Sequence, residues 1–166
     1  MELVERLLVL GAGAGQLGLL GAARSRGLFV IAVDRDPGAP GFRHADRRAI
    51  VSVEDDKAPR ELEWATLLLV GADTVFHDGT LCNKAGTREL AEAAADESVP
   101  ALVACEVIKL APINAADAPA APEFDLTPPE LIDRVVTEEG AYLAEEIRAL
   151  VDRTPFLRDG YSLLGL

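Results

Sequence analysis

Several residue types are scarce in this sequence. Its 166 residues include two cysteines, two histidines, one methionine and one tryptophan, and aromatic residues make up 5%. Cys82 and Cys105 cannot build a disulfide framework, which points to a reducing, cytoplasmic setting. Neither cysteine forms a ligand cluster with His44 or His77, so no metal site is expected. Lysine occurs at Lys57, Lys84 and Lys109, against 28 aspartates and glutamates. The resulting net charge of −12 argues against direct nucleic-acid binding. Residues 7–23 carry no charge, but they include five glycines, and Glu2 and Glu5 spoil a basic leader. Neither a membrane span nor a signal segment is expected there.

What is present is a hydrophobic content of 49%, enough for one folded core. The expectation is a single domain over residues 1–166. Its class is α/β, a Rossmann-like three-layer sandwich with a mostly parallel sheet of five or six strands.

The stretch from Leu67 to Thr87 organises the chain. Leu67–Val70 is an apolar run fit for a buried strand. Gly71 breaks it and Asp73 follows at once. His77, Asp78 and Gly79 read as the tip of a turn. Asn83 and Lys84 then lead into an alanine-rich helix predicted over residues 85–95. A carboxylate at the carboxyl end of a parallel strand, with a lysine and an amide at the start of the next helix, marks the ligand edge of an α/β sheet. A helix amino terminus beside a lysine suits a phosphate. A plain turn followed by an Asn N-cap accounts for the same residues without a ligand.

The amino-terminal part reads as strand 7–10, helix 16–26 and strand 28–33, ending in Asp34. Gly13, Gly15 and Gly18 fit G-x-G-x-x-G, and Asp34 lies 34 − 13 = 21 residues after Gly13. That spacing is open to NAD or another nucleotide. A close-packed strand-to-helix turn explains it equally well.

Further strands are predicted at 49–53, 101–105 and 135–137. The charged stretch 54–60, with Pro59, is the seam between a segment 1–58 and a segment 59–166. A short helix over 61–65 packs Trp64 against the sheet. Glu106 and Lys109 follow the 101–105 strand, and nothing local activates Cys105. Residues 112–122 form an exposed loop and 124–126 an extended segment. Thr127 caps a helix reaching Arg134, with Pro128 in its first turn and Glu130 at N3. Residues 141–152 form an amphipathic helix with Leu143, Ile147 and Leu150 or Val151 on one side. The apolar tail 154–164 packs on the domain or on a partner.

Gly71, Ala72 and Asp73, followed by Asn83, Lys84, Ala85, Gly86 and Thr87, resemble the hallmark of one family. It joins the regulatory subunits of initiation factor 2B, methylthioribose-1-phosphate isomerase and ribose-1,5-bisphosphate isomerase. Residues 99–105, 124–132 and 136–140 resemble its later motifs in the same order, so the likeness covers about residues 62–145. The resemblance implies a sugar-phosphate ligand, with Asp73 catalytic and Gly71, Asn83 and Lys84 on the substrate. The isomerases' catalytic cysteine and upstream phosphate motifs have no counterpart before residue 62, so binding without efficient isomerisation is expected.

Residues 5–56 resemble the amino-terminal domain of ATP-grasp ligases, through residues 8–18, 30–37, Ala45, Asp46 and 51–55. That likeness explains the glycines without NAD, so no cofactor is the first expectation. A recombined chain is the corresponding expectation for its origin. Three functions follow in order. They are a sugar-phosphate-binding isomerase-like module, an initiation factor 2B-like dimerisation domain, and a dinucleotide-binding oxidoreductase module.

An acidic, lysine-poor surface suits a salt-adapted cytoplasm. The thermal midpoint is expected to rise between low and molar KCl, and a flat or falling midpoint rejects salt adaptation.

Overall fold

The computed structural model describes residues 5–53, 55, 57–119 and 121–162. Glu54 and Asp56 of the charged stretch, and Leu163 and Leu164 of the apolar tail, lie outside the described residues. The fold is mixed α/β with mostly parallel strand pairing. The chain divides into two compact units, residues 1–70 with 89–101, and residues 71–88 with 102–166.

The first unit holds β1 (Arg6–Leu10), α1 (Leu17–Ser25), β2 (Phe29–Asp34), β3 (Arg47–Ile50) and β4 (Leu67–Val70). β1 pairs in parallel with β2 and β4, and β2 pairs in parallel with β3. The order is therefore β3-β2-β1-β4, one half of a doubly wound sheet. Leu8, Val30, Ile31, Ala32 and Leu68 are fully buried. Continuous apolar runs of this kind belong to strands covered on both faces. Leu20 of α1 closes the core over the sheet. α2 (Thr87–Asp96) contributes most of its length to this unit, with Leu90, Ala91 and Ala94 buried.

The turn after β1 is tied by backbone bonds. Gly11, at φ +91°, donates its N–H to the Val33 carbonyl at 2.8 Å. That left-handed backbone favours glycine. Gly41 donates to the Ala12 carbonyl at 2.7 Å, and a Cβ on Gly41 would lie 2.5 Å from Leu20 Cδ1 and 2.6 Å from that carbonyl oxygen.

Trp64 does not pack against the sheet. It is 47% exposed, because Pro59–Trp64 is a 3-10 helix. Three residues per turn align Glu61 with Trp64 on one side and turn Leu62 inward, where it is 1% exposed. Arg47 bonds Glu61 through Nε at 2.6 Å and lies 4.9 Å from the Trp64 ring centroid.

The second unit contains two groups of strands. β5 (Thr74–Phe76) and β6 (Leu81–Lys84) form an antiparallel hairpin. β7 (Ala101–Ala104) begins at the boundary between units, and β8 (Leu110–Ala111) lies parallel to β5. β9 (Phe124–Thr127) runs antiparallel to β6, so the small sheet is ordered β8-β5-β6-β9. β10 (Arg134–Thr137) pairs in parallel with β7, and β11 (Gly140–Tyr142) in antiparallel with β10. α3 (Ile147–Asp152) and α4 (Pro155–Ser162) close the unit, with Ile147, Leu150, Val151 and Leu157 buried.

Three sequence expectations change here. Thr127 ends β9 opposite Leu81 and is fully buried, and its hydroxyl caps no helix and has no hydrogen-bond partner among the described residues. A single 3-10 turn, Pro129–Leu131, replaces the predicted helix before β10. Ala141 sits in β11, and the helix after it starts at Ile147, preceded by a 3-10 turn whose Glu146 carboxylate accepts the Leu143 N–H at 2.7 Å. The tail is the helix α4, with Phe156 50% exposed.

Gly41→Ala is expected to cost about 1–3 kcal/mol of unfolding free energy by overpacking. A Cβ on Gly18 meets no atom within 4 Å, so Gly18→Ala in α1 is expected to stabilise by about 0.5–1 kcal/mol. Urea unfolding of the two variants checks both signs.

Candidate functional site

The β5–β6 hairpin and the residues just before it carry four of the predicted site residues, Gly71, Asp73, Asn83 and Lys84. Asp73, just before β5, is exposed and donates its backbone N–H to the Cys82 carbonyl at 3.1 Å. Cys82 is followed on β6 by Asn83 and Lys84, so all three candidate residues lie at the base of the hairpin. Gly71 is half-buried, and a Cβ there would meet open space. Its small size is therefore not imposed by the protein's own packing.

Asn83 and Lys84 belong to a strand rather than to the start of the helix. Successive strand residues face opposite sides of a sheet, so the two side chains part. Asn83 turns toward α2, where its Nδ2 donates to Thr87 Oγ1 at 3.2 Å. Thr87 Oγ1 in turn donates to the Lys84 carbonyl at 2.7 Å. Lys84 shares the face of Cys82, and its ammonium is exposed with no ion pair within 4.0 Å among the described residues.

The amino end of α2 is not an open phosphate cradle. Asp125 of β9 lies opposite Asn83, and its Oδ2 accepts the N–H groups of Gly86 at 2.8 Å and Arg88 at 3.1 Å. A protein carboxylate already complements the helix dipole there.

On the Cys82 face the small sheet and the 112–122 loop enclose a groove of about 400 Å³. Phe76, Cys82, Pro119, Pro122, Phe124 and Leu126 line it. Asp78 pins that loop to the hairpin tip by accepting the N–H groups of Thr80 at 3.1 Å and Ala115 at 3.0 Å. Burial opposes its ionisation, yet the bonds from Thr80 and Ala115 prevail and hold Asp78 below the usual carboxylate range. His77 Nε2 meets Asp152 Oδ1 at 3.2 Å and adds a contact between the tip and α3.

Both thiols are pushed above the usual cysteine range. Burial, then the carboxylates of Asp73 and Asp125, push the Cys82 thiol up. Burial, then Glu138 and Glu106, push Cys105 up to about 11, with Lys109 opposing. Glu138 also accepts the Val107 N–H at 2.9 Å, which closes the turn after β7. Among the described residues no group of three or more His, Cys, Asp and Glu is arranged to hold a metal ion. No helix among them is long and apolar enough to cross a membrane.

Gly13, Gly15, Gly18 and Asp34 lie in the first unit. Asp34 Oδ2 accepts the Ala12 N–H at 2.7 Å and Oδ1 accepts the Asp36 N–H at 2.9 Å, so its carboxylate ties β2 to the glycine turn. The Gln16 side chain lies over Gly11 and Gly13, 3.3 Å and 3.4 Å from where their Cβ atoms would be. Gly15 and Gly18 face open space.

Residues 17–121 match the Initiation factor 2 subunit family. The chain belongs to that family. The match takes in Pro59 and residues 17–56 on its amino-terminal side. Ribose 1,5-bisphosphate isomerase of Haloterrigena turkmenica is 32% identical over 135 residues, covering 61% of this chain and 41% of that protein. The Haloferax volcanii protein of the same name is 32% identical over 127 residues, covering 61% and 39%. The chain thus spans about two fifths of the length of these curated relatives. The crystal structure of eIF2B beta from Chaetomium thermophilum shares the fold, with a TM-score of 0.75, 19% identity, and coverage of 92% of this chain and 51% of that one.

The sequence reading missed Asp125, Asp78 and Glu138 as residues that build this family member's site and its surroundings. Asp125 had a signal, because it lies in one of the motifs that carry the family likeness.

Asp78 has a folded pKa below its unfolded one, so its contribution to stability is complete above the unfolded value, about pH 4. It is lost as the pH falls through the folded value. The stability difference between wild type and Asp78→Ala is therefore expected to be largest near neutrality and to shrink below pH 4, and equal acid limbs contradict the assignment. Cys105 is expected to alkylate with iodoacetamide more slowly at pH 8 than an unfolded-chain cysteine, as followed by mass spectrometry.

Proposed function

We propose that this chain is a sugar-phosphate-binding, isomerase-like module. The observation that carries the reading is the exposed ammonium of Lys84, unpaired among the described residues, on the hairpin whose base also holds Asp73. An acidic protein of net charge −12 repels anions in general, so a local cation is needed to hold one. In this reading Lys84 binds the phosphate. Asp73 moves the proton between neighbouring carbons or oxygens of the sugar, as aldose–ketose exchange requires. Asn83 braces the corner and presents its remaining carbonyl oxygen to a hydroxyl, and Gly71 leaves room for the sugar.

Efficient turnover is not part of the proposal. The isomerases that the sequence resembles use a cysteine, and burial and nearby carboxylates push both thiols here up, away from the reactive thiolate form. The ligand class is supported by the isomerase relatives, of which the chain spans about two fifths. The setting is cytoplasmic, where sugar phosphates are held.

A second reading, an initiation factor 2B-like interaction module that forms a homodimer, is favoured by exposed apolar side chains in the second unit. Ile108 is 65% exposed, Phe156 50% and Leu126 43%. A dinucleotide role for Gly13, Gly15, Gly18 and Asp34 ranks third, since backbone N–H groups already engage the Asp34 carboxylate.

Calorimetric titration with ribose 1,5-bisphosphate tests the first reading. Saturable binding is expected, weakened about tenfold or more in Lys84→Ala through loss of a charge-assisted contact. Equal binding by both proteins, or none, rejects it. A concentration-dependent dimer without ligand binding supports the second reading.

A further inference from the structure

The corner between β6 and α2 holds a residue that the substrate reading does not use. Gly86 sits there at φ +95°, a backbone that side-chain-bearing residues rarely adopt. A turn of this kind needs partners for the N–H groups of the first helical turn. Asp125 supplies them from the neighbouring strand, 39 residues away from Gly86 and 37 from Arg88 in sequence. It also faces Asn83 across the β6–β9 register.

A carboxylate is a costly choice for this task alone. Asp125 Oδ1 is buried and has no hydrogen-bond partner among the described residues. Burying an unpaired carboxylate oxygen is unfavourable, and a serine, threonine or asparagine also caps helices. The charge also works against an anionic ligand, since Asp125 joins Asp73 in pushing the Cys82 thiol up. The acceptor geometry, two N–H groups on one oxygen reached from a second strand, is what the position retains.

We propose that Asp125 is a positioning residue of the sugar-phosphate site. By fixing Gly86 and Arg88 it sets where β6 ends, and so where Asn83 and Lys84 stand relative to Asp73. Asp125 does not touch the ligand. The inference rests on the sugar-phosphate reading of the hairpin.

The test uses the full chain as wild type, Lys84→Ala, Asp125→Ala and Asp125→Asn. Each is titrated with ribose 1,5-bisphosphate at a temperature where circular dichroism shows it folded. Asp125→Ala is expected to weaken binding about tenfold or more. Asp125→Asn keeps a carbonyl oxygen for the two N–H groups and is expected to stay within about threefold of wild type. A purely structural role lowers the melting temperature of Asp125→Ala and leaves the affinity of the folded protein unchanged, which overturns the inference. Equal losses in the alanine and asparagine variants overturn it too, since charge then matters rather than acceptor geometry. If wild type itself binds no sugar phosphate, the parent reading fails. Amide exchange at Gly86 and Arg88 then decides the positioning role. Protection kept in Asp125→Asn and lost in Asp125→Ala upholds it, and protection unchanged in Asp125→Ala overturns it.

Discussion

Two N–H groups, those of Gly86 and Arg88, converge on one carboxylate oxygen of Asp125, and much of the second unit depends on that junction. It joins a strand, a helix and a neighbouring strand at one point. Because β6 continues to Lys84 before the chain turns, Asn83 and Lys84 obey the two-residue period of a strand. One side chain braces the helix and the other stays exposed. Had the helix begun at Ala85, both would have stood at its amino terminus and the helix dipole would have offered an anion site. With Asp125 in that place, a carboxylate of the chain itself already occupies that position.

The first unit follows a different logic. Its strands β1, β2 and β4 are apolar and buried at their centres, and the Asp34 carboxylate at the end of β2 accepts two backbone N–H groups. The glycines of this unit serve separate ends. Gly11 takes the left-handed backbone and Gly41 allows the close approach to Ala12 and Leu20, whereas Gly15 and Gly18 of the nucleotide fingerprint are not crowded at all. The steric need for glycine thus falls at Gly11 and Gly41, outside the fingerprint.

Buried strands were legible in the sequence because continuous apolar runs leave few alternatives. The run Leu67–Val70 ends where expected, and the parallel α/β class follows from it and its neighbours. The short elements were not legible. The hairpin β5–β6 has strands of three and four residues, too brief for periodicity to register. Thr127 and Pro128 carry helix-start chemistry, but pairing of Thr127 with Leu81 overrides it. Trp64 was placed by hydrophobicity, whereas the 3-10 pitch gave the inward position to Leu62 and left Trp64 to Arg47. For the candidate site, Asp73, Asn83 and Lys84 are legible from their order in the chain. Asp125 lies in a later family motif, and its place beside Asn83 comes from strand pairing.

Nitrogen-15 chemical-shift mapping during titration with ribose 1,5-bisphosphate locates the ligand directly. The account predicts saturable shifts confined to residues 71–74 and 82–88, the hairpin base and the corner that follows it. Shifts centred on residues 11–18, or no shifts at saturating ligand, would contradict it.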